Sequence, residues 1–239
     1  MSLLPQQRIL TTLHTVTLAT QVLGQQGVAV ERLLEGSDIA SSDLDNPARL
    51  ICHAQELQVL ANALACSHDS ALGLSLGQRM HVSAYGILGY SMLASRTLGD
   101  ALQLAFEHPA LFGSYFKLTL EQVDDEVRLS ASGYGYAPEL TEFNTELCLS
   151  SLLTVIQDLL GEAVRPRRLL LNYRSPRHGA RYAELLQNYL AHTADGKQVD
   201  GKYLDRICVR SVGQMESVAV GDVAWIGSSG NYVELHLAA

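Results

Sequence analysis

The segment between Asp69 and Leu104 decides how this chain folds, because small residues recur in it at fixed places between apolar ones. It contains three successive runs: Leu72-Gly73-Leu74-Ser75-Leu76-Gly77, Tyr85-Gly86-Ile87-Leu88-Gly89-Tyr90 and Ser95-Arg96-Thr97-Leu98-Gly99-Asp100-Ala101-Leu102. The segment holds no nucleophile with its base, no ligand cluster and no phosphate-binding loop. It therefore predicts a packed sensing module rather than a catalyst.

Around this segment, residues 1–104 show the 3.6-residue apolar spacing of short helices. A first helix has on one face Ile9, Leu13, Val16 and Leu23. A second, from Pro47 to Ala65 with Asp45 or Asn46 as its cap, has on one face Leu50, Ala54, Leu57, Ala61 and Leu64. A third begins near Thr97 and is stopped by Pro109.

The period then changes to two, which is typical of half-buried strands. Phe116, Leu118 and Leu120 alternate with polar residues, and the same pattern returns after the turn Asp124-Asp125. A long helix is predicted from about Glu139 to Leu160, with Gly161 as its cap. A strand at 168–173 and a last helix that contains Tyr182, Leu185, Leu186 and Tyr189 follow.

These patterns predict an α+β fold: a helical N-terminal half, a small antiparallel sheet packed on a long helix, and a short all-β C-terminal tail. We expect a first domain at 1–191 and a linker at 192–202, where the chain is polar and glycine-bearing. Residues 203–239 contain four short strand-like runs and form the tail.

Composition favours a folded protein, since 47% of the residues are hydrophobic and 18% are charged. The net charge of −8 argues against a generally basic nucleic-acid surface. The four cysteines form no CxxC pair, the N-terminus lacks the shape of a secretory leader, and no apolar run reaches the length of a membrane span. We expect a soluble, cytoplasmic protein without a membrane partner.

Several groups of side chains allow both a functional and an ordinary structural interpretation. A metal site is not expected from Cys52, His53, Cys66, His68 and His81, because neighbours such as Cys52 and His53 point to different sides of a helix. No enzyme activity and no cofactor are expected, because Ser150 and Ser151 lie inside a helix and no GxSxG elbow occurs. The one basic cluster consists of Arg165, Arg167 and Arg168. It either binds an anionic effector or a phosphate, or lies in solvent at the start of a strand. Glu146 either pairs with a buried arginine or orients a ligand, or it faces solvent.

Aromatic residues are unevenly distributed. Residues 1–84 contain none, whereas nine of the fifteen lie between Tyr85 and Phe143. The rings either form the walls of a small-molecule pocket or fill the core between helices and sheet. If they form a pocket, the candidate effector-binding residues are Tyr85, Tyr90, Phe112, Tyr115 and Phe143.

Residues 1–184 resemble the N-terminal effector-binding and dimerisation domain, the arabinose-binding-like domain, of AraC-type transcription regulators. The resemblance rests on Asn46-Pro47-Ala48-Arg49-Leu50, on Leu72-Gly73-Leu74 with Leu76-Gly77, on Gly86-x-Leu88-Gly89-Tyr90 with Ser95-x-Thr97-Leu98-Gly99, and on Glu146, Ser175-Pro176 and Tyr182. It implies a small-molecule effector, a homodimer and control of transcription.

The family pattern normally ends in paired helix-turn-helix motifs, which are not recognisable in these 239 residues. Residues 203–239 instead resemble the first half of a LytTR-type DNA-binding domain, through Val218-Ala219-Val220, Val223-x-Trp225-Ile226 and Gly230-Asn231-Tyr232-Val233. By this resemblance Asn231 and Tyr232 approach DNA. The tail has two arginines and four acidic residues, so alone it should bind DNA weakly.

The sequence therefore predicts a transcription regulator that senses a small effector and couples it to DNA binding, with DNA as a partner if the C-terminal module is completed. The alternative is a ligand-binding or protein-interaction domain that has no DNA-binding activity of its own.

Overall fold

The structure is a computed structural model that describes residues 10–46, 49–123, 126–162, 166 and 171 and four C-terminal strands. In this part of the chain the helices are α1 (His14–Gln25), α2 (Val30–Leu34), α3 (His53–Cys66), α4 (Leu72–Gly77), α5 (Gly86–Leu93), α6 (Leu98–Glu107), α7 (Pro109–Phe112) and α8 (Thr141–Leu160). The strands are β1 (Leu10–Thr12), β2 (Leu50–Cys52), β3 (Lys117–Val123), β4 (Glu126–Ser132), β5 (Ile207–Ser211), β6 (Gln214–Val218), β7 (Trp225–Gly227) and β8 (Val233–Ala238). The predicted α+β class is confirmed.

The first glycine run forms α4, which crosses α8 at very short range. A Cβ atom built on Gly77 would lie 2.5 Å from Cβ of Ser150, and one on Gly73 would lie 2.5 Å from the Phe143 carbonyl oxygen. Glycine at both positions is what allows the two backbones to meet. The Ser150 hydroxyl uses this proximity and donates a hydrogen bond to the Leu74 carbonyl at 2.9 Å.

The second glycine run forms a 3₁₀ helix, Val82–Tyr85, followed by α5. Gly86 joins them with φ of +53°, a left-handed conformation that glycine adopts without steric cost. A Cβ on Gly89 would lie 1.9 Å from the Val82 carbonyl oxygen, so this position also requires glycine. The turn fixes Tyr85 in the core, where it is buried.

The third run forms α6 where the sequence predicts it. Thr97 is the N-cap residue, and its hydroxyl oxygen accepts a 3.0 Å hydrogen bond from the Asp100 amide. The helix ends at Glu107, and Pro109 opens the short α7. Gly113 then ends α7 in the left-handed conformation and directs the chain toward β3.

The predicted helix from Pro47 to Ala65 is wrong in its start and in its buried face. Leu50–Cys52 forms β2, which pairs antiparallel with β1, so α3 begins only at His53. Pairing with β1 supplies the backbone hydrogen bonds that a longer helix would have provided. The buried residues of α3 are His53, Glu56, Leu57, Val59, Leu60 and Ala63. The polar residues His53 and Glu56 therefore face the core.

The predicted hairpin and long helix are confirmed. Strands β3 and β4 pair antiparallel from Lys117 with Ser132 to Val123 with Glu126. The side chains of Leu129 and Ala131 in β4 are buried and lie against α8. Helix α8 ends at Leu160, followed by Gly161 with φ of +72°. The sheet thus forms one wall and α8 the opposite wall of the main core.

The C-terminal tail is all-β in its described residues, as expected. Strand β8 pairs antiparallel with β4, and β7 pairs with β8, which gives the sheet order β3-β4-β8-β7. Strands β5 and β6 form a separate hairpin. The linker at 192–202, the strand at 168–173 and the helix around Tyr182 lie outside the described residues. The division into two domains therefore stays a prediction.

In the described part of the chain, no helix combines the length and the apolar character that crossing a membrane requires.

Candidate functional site

Helix α3 places a carboxyl group in the interior of the N-terminal half. Glu56 is completely buried, and the Tyr115 hydroxyl donates a 2.5 Å hydrogen bond to its Oε2 atom. Among the described residues the Oε1 atom has no partner within ordinary hydrogen-bond geometry. Burial raises the pKa of Glu56 to about 7, and the interactions with the Tyr115 and Thr15 hydroxyls oppose that rise only in part. The carboxyl group is therefore poised between its neutral and charged forms near neutral pH.

His53 precedes Glu56 by one helical turn and faces the same interior. Its ring centroid lies 4.8 Å from the Tyr115 ring and 5.3 Å from the Tyr136 ring. The Nδ1 atom is 3.0 Å from the Tyr136 hydroxyl, whereas Nε2 is buried without a partner. Burial lowers the pKa of His53 to about 4, so the ring is neutral at pH 7.

The segment between β4 and α8 adds further rings and an amide. The rings of Tyr134 and Tyr136 are 5.7 Å apart, and Tyr136 lies 5.2 Å from Tyr115. Asn144, in the first turn of α8, donates a 2.9 Å hydrogen bond from Nδ2 to the Tyr134 hydroxyl. That bond leaves the buried Oδ1 atom of Asn144 without a partner. Burial raises the pKa of all three tyrosines, which are neutral at pH 7.

A second aromatic group lies beside the first. Tyr85 stacks on Phe112 with ring centroids 4.8 Å apart and planes at 14°, and the His14 ring is 5.1 Å from Tyr85. Burial lowers the pKa of His14 to about 4, and its Nδ1 atom contacts the Thr12 hydroxyl. Its Nε2 atom is buried and unpartnered. This group is therefore a neutral surface with one open polar atom.

The two groups enclose a narrow inner cavity. It holds about 20 Å³, little more than one water molecule needs, so the lining must move to admit anything larger. The residues that line the cavity are His14, Thr15, Met80, Tyr85, Phe112, Gly113, Ser114, Tyr115, Phe116, Asn144, Leu147, Cys148 and Ser151. Glu56 is not among them, but it is hydrogen-bonded to Tyr115, which lines the cavity.

An outer groove adjoins the inner cavity and shares His14 and Tyr85 with it. It has about 1350 Å³ of free space, including open solvent, between α1, α7, the segment around Asp45 and the start of α5. Because His14 and Tyr85 belong to both spaces, a movement of these two rings would join them.

Buried polar side-chain atoms without a hydrogen-bond partner concentrate here. Within the described residues they are Thr11 Oγ1, His14 Nε2, His53 Nε2, Glu56 Oε1 and Asn144 Oδ1. Buried polar atoms are nearly always paired, because an unpaired one costs about 1–3 kcal/mol. Five such atoms around two adjoining aromatic groups are what a binding site for a polar small molecule provides.

The structure brings together three of the five predicted effector-binding residues. Tyr85, Phe112 and Tyr115 all line the inner cavity. Tyr90 lies on the outer face of α5 and is 70% exposed. Phe143 is buried at the crossing of α4 and α8, away from the lining. An effector-binding role for these residues stays a prediction.

The polar residues of the site were missed at the sequence level. His53 and Glu56 sit three residues apart on the face of α3 that carries Leu57 and Leu60. The sequence did contain a signal, because Glu56 has the spacing of a core residue relative to Leu60. It was overlooked because the predicted helix started too early and had a different buried face. Glu146 is buried in α8, and its carboxylate lies near Gly73, so the solvent-facing alternative is wrong.

The remaining predictions concern a metal site, DNA contacts and a basic cluster. In the described segments no group of three His, Cys, Asp or Glu residues is arranged to hold a metal ion, and His81 lies 3.1 Å from Asp158. Asn231, Tyr232 and the arginines at 165, 167 and 168 lie outside the described residues, so the predictions about them stay predictions.

The known proteins that this chain is similar to are transcription regulators. They include the ornithine utilization regulator of Pseudomonas aeruginosa, 32% identical over 164 residues, 69% of this chain and 48% of the relative. An uncharacterised HTH-type transcriptional regulator of Mycobacterium bovis is 26% identical over 122 residues, 50% of this chain and 36% of the relative. A regulator of Mycobacterium tuberculosis matches to the same extent. The chain spans about half or less of these curated relatives.

A solved structure agrees with the fold. The crystal structure of transcriptional regulator CdpR from Pseudomonas aeruginosa has a TM-score of 0.56 at 18% identity, over 94% of this chain and 55% of that chain. Residues 27–199 match the family described as the arabinose-binding domain of AraC transcription regulators, N-terminal. The chain therefore belongs to the family of N-terminal arabinose-binding domains of AraC-type transcription regulators.

Proposed function

We propose that this chain is the sensing part of a transcription regulator and that it binds a small-molecule effector between α1, α3, the β3–β4 hairpin and α8. The observation that carries the proposal is the set of five open polar atoms in the described residues, of which His14 Nε2 and Asn144 Oδ1 belong to residues that line the cavity. Membership of the regulator family supports it. Binding requires no bond-making step, so the proposed action is a shift between two arrangements of the protein and not catalysis.

Coupling to the rest of a regulator follows from the same geometry. The inner cavity is too narrow for a ligand unless its lining moves, so the bound form must differ from the form described here. An effector that prefers the opened form shifts the population toward it by its difference in affinity. His14 is the first residue of α1 and Tyr85 immediately precedes α5, so each helix starts at one of the two rings that line the cavity. We propose that this movement changes the position of a DNA-binding module, and that DNA is the second partner.

A homodimer is part of the proposal. Helix α5 is apolar on both faces, and its outer face exposes Ile87 (74%), Tyr90 (70%) and Leu93 (51%). Exposed apolar side chains grouped on one helix face are typical of a contact surface. Sedimentation equilibrium of the wild type and of Ile87→Asp tests this: we expect a dimer and a monomer, respectively. A monomeric wild type would contradict it.

A thermal-shift screen of the chain against small metabolites tests the sensing proposal. We expect at least one compound to raise the melting temperature, because a ligand that binds only the folded state stabilises it. The ornithine utilization regulator suggests amino acids as the first compounds to try. A screen without any stabilising compound would contradict the proposal.

The second candidate function is a ligand-binding or interaction domain that does not itself bind DNA. The net charge of −2 in residues 203–239 and the limited coverage of the curated relatives favour it for this chain alone. Fluorescence anisotropy with duplex DNA across salt concentrations separates the two candidates. A signal that rises at low salt supports DNA binding, including the LytTR-type hypothesis for the tail, whereas a flat response supports the second candidate.

A further inference from the structure

Glu56 is a buried acidic group that forms no ion pair among the residues the structure describes. His53 and His14, the histidines of the two aromatic groups, are neutral at pH 7 because burial lowers their pKa values to about 4. Burying a charge without a partner is costly, so a charged Glu56 requires a cation from elsewhere.

The surroundings of Glu56 match the needs of a positively charged nitrogen. An ammonium group has three N–H donors and no acceptor, and the open oxygens of the first aromatic group are Glu56 Oε1 and Asn144 Oδ1. The Tyr115 ring lines the cavity, and aromatic rings attract cations. A sugar or another neutral polyol would leave the buried carboxyl group without a counter-charge.

From this geometry we propose that the inner cavity recognises the protonated amino group of a small ligand, with Asn144 Oδ1 as acceptor in the wall and Glu56 as the counter-charge behind Tyr115. The inference rests on the proposed sensing function and names the chemical class of the effector. The ligand enters past His14 and Tyr85, which separate the cavity from the outer groove. Its amino group then approaches the Tyr115 hydroxyl and the carboxyl group behind it.

Proton linkage gives the proposal a sharp signature. The titratable groups of the two aromatic groups beside Glu56 are Tyr115, Tyr134 and Tyr136 from the hairpin side, His53 on α3, Tyr85 before α5 and His14 at the start of α1. Of these, Glu56 alone changes charge between pH 5.5 and 8, because its pKa is about 7. The charged carboxylate is the form that binds an ammonium group. Affinity should therefore rise about 30-fold from pH 5.5 to pH 8, as the charged fraction rises with a pKa near 7.

Isothermal titration calorimetry on the full chain tests the proposal. The probes are ethylamine, butylamine and 1,4-diaminobutane, each compared with the neutral alcohol of the same length. We expect at least one amine to bind ten times more tightly than its alcohol, and its affinity to rise with pH as above. Binding of amine and alcohol with equal affinity, an affinity that does not change with pH, or no binding by any amine would overturn the proposal.

Two variants locate the effect. Glu56→Gln keeps the shape and removes the charge, so we expect it to weaken amine binding at least tenfold and to remove the pH dependence. Glu31→Gln, an exposed carboxyl in the first turn of α2, is the matched control and should change affinity less than twofold. Unchanged amine binding by Glu56→Gln overturns the proposal. If that variant does not fold, the pH profile of the wild type decides.

The failure of this inference and the failure of the proposed function are distinguishable. If the amines fail but a neutral metabolite raises the melting temperature in the broader screen, the sensing function stands and the amine class is wrong. If no small molecule of any class binds, both fall.

Discussion

Replacing Gly77 by alanine should destabilise the protein, because this position has no room for a side chain. The new Cβ would lie 2.5 Å from Cβ of Ser150 and 2.8 Å from both the Leu147 carbonyl oxygen and the Ser151 amide nitrogen. Two of these contacts are backbone atoms of α8, which cannot rotate away. Relief requires α4 and α8 to separate by about 1 Å, to reach ordinary contact distances.

The size of the effect follows from three contributions. Overpacking of this kind costs about 1–3 kcal/mol. Separation also strains two hydrogen bonds across the crossing, from Ser150 to the Leu74 carbonyl and from Thr154 to the Gly77 carbonyl, worth about 1 kcal/mol each. Alanine regains about 1 kcal/mol of helix propensity over glycine. The net loss of unfolding free energy is therefore about 3 kcal/mol.

Gly24→Ala is the matched control. Gly24 lies in α1, has no heavy atom within 4 Å of a Cβ built on it, and should gain about 0.5–1 kcal/mol from the same chemical change. Urea unfolding followed by circular dichroism measures both variants. A Gly77→Ala protein as stable as the wild type would refute the close crossing of α4 and α8.

Three further predictions concern the cap, the buried carboxyl and the C-terminal strands. Thr97→Ala removes the hydroxyl that accepts from Asp100 and should cost about 1 kcal/mol in urea unfolding, with no loss if the cap is absent. Glu56→Gln should gain stability relative to the wild type as pH rises from 4.5 to 7, by about 3 kcal/mol in total. Folding raises the pKa of Glu56 from 4.5 to about 7, so over this range the unfolded wild type releases the proton while the folded wild type keeps it, and the wild type loses stability. A pH-independent difference in melting temperature refutes this prediction. Removing residues 225–239 uncovers the edge of β4 and should lower the melting temperature and promote association in light scattering, while an unchanged melting temperature refutes the pairing of β8 with β4.

The sequence predicted the elements whose signals are local. The alternation in β3 and β4, the cap at Thr97 and the stop at Gly161 all depend on residues a few positions apart, and the structure has them where expected. The start of α3 was mispredicted because β1 and β2 pair across about forty residues of chain. Local periodicity contains no information about such a distant partner.

The candidate site was only partly predictable for the same reason. The Tyr115 hydroxyl meets Glu56 across 59 residues and the Tyr136 hydroxyl meets His53 across 83, so no spacing in the sequence indicates either pair. Tyr90 was assigned to the pocket because aromatic residues are concentrated between Tyr85 and Phe143. Helix α5 buries Leu88 and Met92 and exposes Ile87 and Tyr90. Because all four side chains are largely apolar, the sequence of α5 does not indicate which of its faces is internal.

The central claim, that the cavity beside Tyr115 binds the effector, is tested most directly by titrating the stabilising compound from the metabolite screen against two variants. Asn144→Ala removes an open acceptor in the cavity wall, so we expect it to weaken binding at least tenfold in calorimetry. Tyr90→Ala, on the exposed face of α5, should leave the affinity unchanged. If Asn144→Ala keeps full affinity while Tyr90→Ala loses affinity, the effector does not bind in the cavity beside Tyr115.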